Sequence, residues 1–196
     1  MKTNPFLLTD YYKVGHIFQY PPHTTLVYSN LTPRKSRMQG VDKMVFFGLQ
    51  YFIKEYLTYF NENFFKQPKE KVISEYKRRI RTSIGDLPDY SHIERLHDLG
   101  YLPVEIKALP EGSLVPMRVP CITVVNTLPE FYWVTNFLET ILSAIIWQPC
   151  TSATIAFQYK KLLTRYAAET GVPADFVQWQ AHDFSFRGMS SFESAL

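Results

Sequence analysis

Phe176-Val177-Gln178-Trp179-Gln180-Ala181, then His182-Asp183-Phe184-Ser185-Phe186-Arg187-Gly188, then Ser190-Ser191-Phe192-Glu193, is the stretch on which the fold reading turns. The first six residues have the aromatic and β-branched character of a strand. Ser190 and Glu193 have the spacing of a capping box, so a helix is expected to open there. An Arg and a Gly between strand and helix, followed by free helical N–H groups, make an anion site. Loops that follow strands are also where α/β barrels bind ligands. Read alone, that signal is weak: Arg187 is more often a surface salt-bridge partner, and Phe184 and Phe186 are by default core residues.

Upstream the pattern is helical. A helix is expected from Thr151 or Ser152 to Thr170, stopping at Gly171. Before it, an apolar helix from about Pro129 to Trp147 opens at a Thr127/Glu130 capping box and ends at Pro149. Residues 102–126 read as antiparallel β-structure. Val104, Ile106 and Ala108 alternate with Glu105 and Lys107, Pro110-Glu111-Gly112-Ser113 is a turn, and Cys121 to Asn126 is β-branched. Three earlier helices are expected: Val45 to Phe60, Pro68 to Ile84, and Ser91 to Gly100 with a Ser91/Glu94 box. Lys77, Arg78, Arg79 and Arg81 read as the solvated face of the second.

Composition excludes several classes. The 196 residues carry 21 basic and 18 acidic side chains, a net charge of +3, which argues against a nucleic-acid binder. Hydrophobic residues at 46% exclude disorder, and aromatic residues at 16% supply large flat surfaces to bury or to offer to ligands. Cys121 and Cys150 give neither a disulfide framework nor metal-ligand spacing. Phe6-Leu7-Leu8 is too short for a signal-peptide core. Thr140 to Tyr159 is uncharged and has the length of a membrane span, but Gln148, Pro149, Thr151, Ser152 and Thr154 interrupt it. A pair of buried helices, no membrane, and a reducing cytoplasmic location are therefore expected.

The opening stretch, Asp10-Tyr11-Tyr12-Lys13-Val14-Gly15-His16, is dense in functional groups, and on composition it is equally an arm docked by its aromatics. It resembles the D-x-Y-K-x-x-H motif of nicotinamide phosphoribosyltransferases. The resemblance continues, in order, through Gln19-Tyr20-Pro21-Pro22, Val45-Phe46-Phe47-Gly48-Leu49-Gln50-Tyr51, Pro103 to Ala108 with Pro110-Glu111-Gly112, Tyr132-Trp133 with Thr135-Asn136, Glu139-Thr140-Ile141-Leu142, and His182 to Gly188. Ser185 and Phe186 stand where the family commonly has Gly and Tyr, and Tyr11 and Gly15 where it often has Ser and Thr.

The resemblance implies a type II phosphoribosyltransferase fold: an α+β amino-terminal domain, 1–128, followed by the first elements of a truncated α/β barrel, 129–196. It implies transfer of a phosphoribosyl group from phosphoribosyl pyrophosphate to nicotinamide, with Mg2+ and possible ATP coupling in the complete enzyme. Phe184 and a partner subunit's Tyr12 would sandwich the nicotinamide ring. Arg187 would bind phosphate oxygens, with Asp10 and Asp183 in support. Neither catalytic nor metal-binding residues are assigned to this portion. The family's later motifs are not in the sequence, so a partial or split chain, inactive alone, is expected to act as a homodimer or with a complementary carboxyl-terminal polypeptide. The rival readings are a nicotinate phosphoribosyltransferase fragment and a non-catalytic module that docks on a full-length enzyme.

Overall fold

The computed structural model describes residues 3–195. Two small antiparallel sheets carry its β-structure. β1 (Tyr28–Leu31) and β3 (Val104–Ala108) flank β5 (Ile122–Asn126), with Tyr28 opposite Val125 and Val104 opposite Asn126. β2 (Lys43–Val45) pairs with β4 (Leu114–Pro116), Val45 facing Leu114. Ile122, Val124 and Asn126 are buried while Thr123 and Val125 are not, the period-two signature of a sheet with one face on the core. The antiparallel structure expected over 102–126 is present, joined by β1 and β2 from upstream.

Val45 closes β2, so the first helix begins later than its apolar stripe suggests. Gly48 turns the chain at φ 101°, which favours glycine, and the Glu111 carboxylate accepts the N–H groups of Gly48 and Gln50 at 2.9 and 3.0 Å. The helix then changes register repeatedly: α1 (Leu49–Tyr51), a π-helical stretch (Phe52–Leu57), α2 (Thr58–Phe60) and a second π-helical stretch (Asn61–Phe65). α3 (Lys69–Ile84) buries Val72, Ile73, Tyr76 and Ile80, as its periodicity requires. Part of its basic face is paired: Lys77 with Glu94 at 2.6 Å and Arg81 with Asp86 at 3.0 Å.

α4 (Ser91–Leu99) ends on Gly100 in the left-handed region, whose N–H reaches the carbonyls of Leu96 and His97. Neither of the two upstream capping boxes forms. Ser91 bonds to Asp89 while Glu94 is held by Lys77, and Glu130 pairs with Arg95 instead of closing on Thr127. Ion pairing across elements outcompetes the local bond.

α5 (Val134–Thr170) is one continuous helix of 37 residues, not the expected pair broken at Pro149. The proline removes one donor, but the turn beyond it is held by Thr151, whose hydroxyl donates to the Trp147 carbonyl at 2.7 Å. Its ring also fills the space above Gly48, where a Cβ would come within 2.9 Å of the Pro149 Cβ. Packing therefore overrides the breaker. By length and apolarity alone α5 could cross a membrane. In this fold its first half is a core element. Phe6 sits at the centre of that core, its ring 4.5–5.5 Å from those of Phe60, Phe64 and Phe137.

The strand expected over Phe176 to Ala181 is absent. Ala174–Trp179 is instead a 3-10 turn after Pro173, lying near α5 with none of its residues buried, and no strand among the described residues pairs with it. The helix expected from Ser190 is the single turn α6 (Phe192–Ala195), capped one residue later by Ser191, whose hydroxyl accepts the Ser194 N–H at 3.1 Å.

Candidate functional site

The opening motif folds as a 3-10 stretch, Tyr11–Phe18, bound to the first turns of α5 by polar contacts. The Thr140 hydroxyl donates to Asp10 Oδ2 at 2.7 Å and accepts the Asp10 N–H at 3.2 Å. Thr9 donates to the Phe137 carbonyl at 3.1 Å. Lys13, only 4% exposed, donates to the Asn136 carbonyl, the Asn136 side-chain oxygen and the Glu139 carboxylate. A buried ammonium needs such a full set of acceptors. The Asn136 amide in turn meets His16 Nδ1 at 3.1 Å and the Tyr20 hydroxyl at 3.2 Å.

Asp10, Lys13 and His16 are therefore spent on holding the segment in place, and Tyr12 is the residue they present. Its ring is 64% exposed, 5.3 Å from that of His16, with the Lys13 ammonium 5.8 Å away. Beneath lies a cavity of about 10 Å³, room for one water, lined among others by Lys13, His16, His92 and Trp133. His92 Nδ1 and Trp133 Nε1 are buried without a hydrogen-bond partner among the described residues. Burial above all pushes the His92 pKa down to about 4, so the ring is neutral near pH 7.

At the other end, the carboxyl-terminal segment crosses the middle of α5 and closes one side of a cleft of about 730 Å³. That volume is within the usual range for small-molecule sites. Phe47, Tyr51 and Pro149 form an apolar wall, and Ser152, Asp183 and Glu193 supply polar groups. The hydroxyl and N–H of Ser185 hold the Asp183 carboxyl below the usual carboxylate range. Glu193 accepts the hydroxyls of Tyr51, at 3.1 Å, and of Tyr56. Burial first, then these bonds, raise both phenol pKa values.

Of the residues singled out in the sequence, Asp183 lines the cleft, whereas Tyr12, Phe184 and Arg187 do not. Phe184 is 84% exposed, with His182 as its ring neighbour at 6.5 Å. Arg187 is exposed and makes no ion pair among the described residues. Tyr12 and Phe184 thus lie on separate parts of one chain, both offered to solvent. Asn136, Glu139 and Thr140 emerge as the partners of the opening motif, and Tyr51 and Tyr56 as those of Glu193. Among the described residues no group of three His, Cys, Asp or Glu side chains gathers to hold a metal ion.

Residues 4–106 match the family model described as nicotinamide phosphoribosyltransferase, N-terminal domain. The nicotinamide phosphoribosyltransferase of Acinetobacter baylyi is 54% identical over 201 residues, covering 99% of this chain and 40% of the relative. That of Mycoplasma pneumoniae is 32% identical over 204 residues, covering 97% and 45%. The chain thus spans less than half the length of these curated relatives. The crystal structure of human nicotinic acid phosphoribosyltransferase superposes with a TM-score of 0.58 at 23% identity, over 80% of this chain and 28% of that one. That likeness concerns the fold.

Proposed function

This chain belongs to the family of nicotinamide phosphoribosyltransferase N-terminal domains, and from that premise we propose that it serves the transfer of a phosphoribosyl group to nicotinamide. In that reaction the pyridine nitrogen attacks C1 of phosphoribosyl pyrophosphate. The C1–oxygen bond breaks, and pyrophosphate leaves with the electron pair. Positive charge builds on the sugar, so the protein's work is to orient the reactants and stabilise the departing anion.

One observation carries the assignment of roles. Tyr12 and Phe184, both aromatic and both solvent-facing, stand on separate parts of a single chain. A Tyr12 ring from one subunit and a Phe184 ring from another sandwich a flat heteroaromatic amide, each stack adding about 0.5–1.5 kcal/mol beyond area burial. Arg187, exposed and without an ion pair among the described residues, gives its planar fork to phosphate oxygens. Asp10 supports Tyr12 through Thr140, and Asp183 supports the Phe184 turn through Ser185.

The working unit is a cytoplasmic homodimer or a complex with a complementary carboxyl-terminal polypeptide. Residues 1–128 form the α+β part, and 129–196 begin an α/β barrel that other strands complete. Mg2+, with ATP coupling where present, would neutralise the pyrophosphate.

The test is a chimera in which this chain replaces the matching portion of the Acinetobacter baylyi relative. Nicotinamide mononucleotide is the expected product, with nicotinate a poor substrate, and the 196-residue chain alone yields none. Tyr12→Ala and Phe184→Ala each weaken nicotinamide use tenfold or more, and Arg187→Ala chiefly weakens phosphoribosyl pyrophosphate use. Mixing the two ring variants restores part of the activity. Unchanged nicotinamide kinetics in both ring variants refute the sandwich, and light scattering showing a compact monomer at micromolar concentration refutes the dimer.

A further inference from the structure

Segment 180–195 carries the two side chains read above as substrate contacts, yet it has almost no core of its own. Phe184, Phe186 and Phe192 are all exposed. α6 is a single turn, too short to be stable by itself. Among the described residues, the hydrogen bonds tying this segment to the body of the molecule converge on that turn. Tyr51 and Tyr56 donate to the same oxygen of Glu193, and Gln148 Nε2 donates to the Ser194 carbonyl at 2.9 Å.

The two tyrosines reach one oxygen because of a local irregularity. On an α-helix, side chains five residues apart diverge by about 140°. The π-helical stretch Phe52–Leu57 widens the turn and swings Tyr56 round toward the face of Tyr51, their ring centres 6.3 Å apart. Phe52, stacked on Tyr56 at an interplanar angle of 12°, holds that ring from the core side. A carboxylate that accepts two phenolic hydroxyls makes charge-assisted bonds, stronger than neutral ones.

We propose that Glu193 is a positioning residue, a latch caught by Tyr51 and Tyr56 that fixes the Phe184–Arg187 turn over the middle of α5. Arg187 lies eight positions beyond Trp179, where the preceding turn ends, so a segment freed at Glu193 could sweep up to about 27 Å. With the latch closed, the ring and the guanidinium are held at one place beside the cleft. The role assigned to that turn rests on the function proposed above; the latch itself does not.

A distance measurement on the 196-residue chain separates the two. Spin labels are attached at Lys160→Cys on α5 and Phe186→Cys on the turn; Cys121 and Cys150, both buried, stay unlabelled. The unmodified latch gives one narrow distance distribution. Glu193→Ala, or Tyr51→Phe with Tyr56→Phe, broadens it at least twofold, while Phe192→Ala leaves it unchanged and Glu193→Gln, which keeps an acceptor, falls between. An unchanged distribution in Glu193→Ala overturns the latch. In the chimera, Glu193→Ala raises KM for phosphoribosyl pyrophosphate about tenfold with a smaller change in kcat, and Glu193→Gln recovers part. A KM equal to wild type alongside a broadened distribution overturns the positioning role. A chimera that makes no product refutes the proposed function and leaves the distance result standing.

Discussion

The two halves of α5 live in different surroundings. From Val134 to Thr154 its inward residues, among them Phe137, Leu138, Ile141 and Ile146, are buried under the amino-terminal arm, β2 and β5. Beyond Thr154 only Ala167 is buried, and Ile155, Tyr159, Leu162 and Tyr166 face outward. The apolar content is similar, and the main compositional difference is charge: Glu139 alone in the first half, against Lys160, Lys161, Arg165 and Glu169 in the second. What differs is whether other elements arrive to cover them. The first half is a spine of this fold, and the second lies largely open to solvent.

The sharpest break of that comparison is a ring deletion in each region. Phe6→Ala removes the aromatic that four other rings surround and should cost about 3–5 kcal/mol in a urea titration. Tyr159→Ala on the outer half should stay within about 0.5 kcal/mol. Similar losses at both positions would mean that the outer half is covered after all.

His92 gives the next largest effect. Its pKa is about 4 when folded against an ordinary 6.5, chiefly through burial, with Asp89, Glu94 and Arg95 as the nearby charges. Below pH 6.5 the unfolded chain takes up a proton that the folded chain refuses. Stability is therefore full above pH 6.5, falls as pH drops through the window to 4, and levels off below it. The loss is roughly 3 kcal/mol. The difference between wild type and His92→Leu across that window isolates it from the carboxylates, and a flat difference would show that the ring is already solvated.

Gly48 probes the joint between the spine and the first helix. Gly48→Ala meets both a positive φ and the Pro149 ring, and should cost about 1–3 kcal/mol. Pro149→Gly in the same chain, which removes both the Cβ at 2.9 Å and the Cγ at 3.0 Å, should recover part of it relative to Pro149→Gly alone; simple additivity of the two would break the assigned contact. The smallest effect belongs to Tyr12→Ala. Removing an exposed ring from its platform should shift stability by no more than about 0.5 kcal/mol, however large its effect on nicotinamide use.

How far the residues themselves disclosed this depends on the range of the forces involved. α3 and α4 are legible because their stripes and the Gly100 stop are local. β3 and β5 follow from alternation and β-branching. The continuity of α5 was hidden because Pro149 reads as a breaker, and what rescues it, a Gly48 with no side chain, lies a hundred residues away. Phe176 to Ala181 has strand composition but no strand among the described residues pairs with it, so it forms an exposed 3-10 turn instead. At the site, the order of motif blocks marks Asp10 to His16 and Asn136 to Thr140 as important. That they bind one another is a fact of three dimensions. The Glu193 latch depends on a change of helical register at Phe52–Leu57, for which spacing in the sequence carries no sign.

The central strand also sets a timetable for synthesis. β5 is the partner of both β1 and β3, and Tyr28 pairs with Val125 across nearly half the chain. As the polypeptide leaves the ribosome, β1 has nothing to pair with until the whole of 32–121 has followed it. The spine that covers the sheet comes later still. Local helices such as α3 can form within microseconds of emerging, but the sheet cannot close before Asn126 is free. Until then Tyr28 to Leu31 is an unpaired strand edge, the kind that invites pairing with another chain.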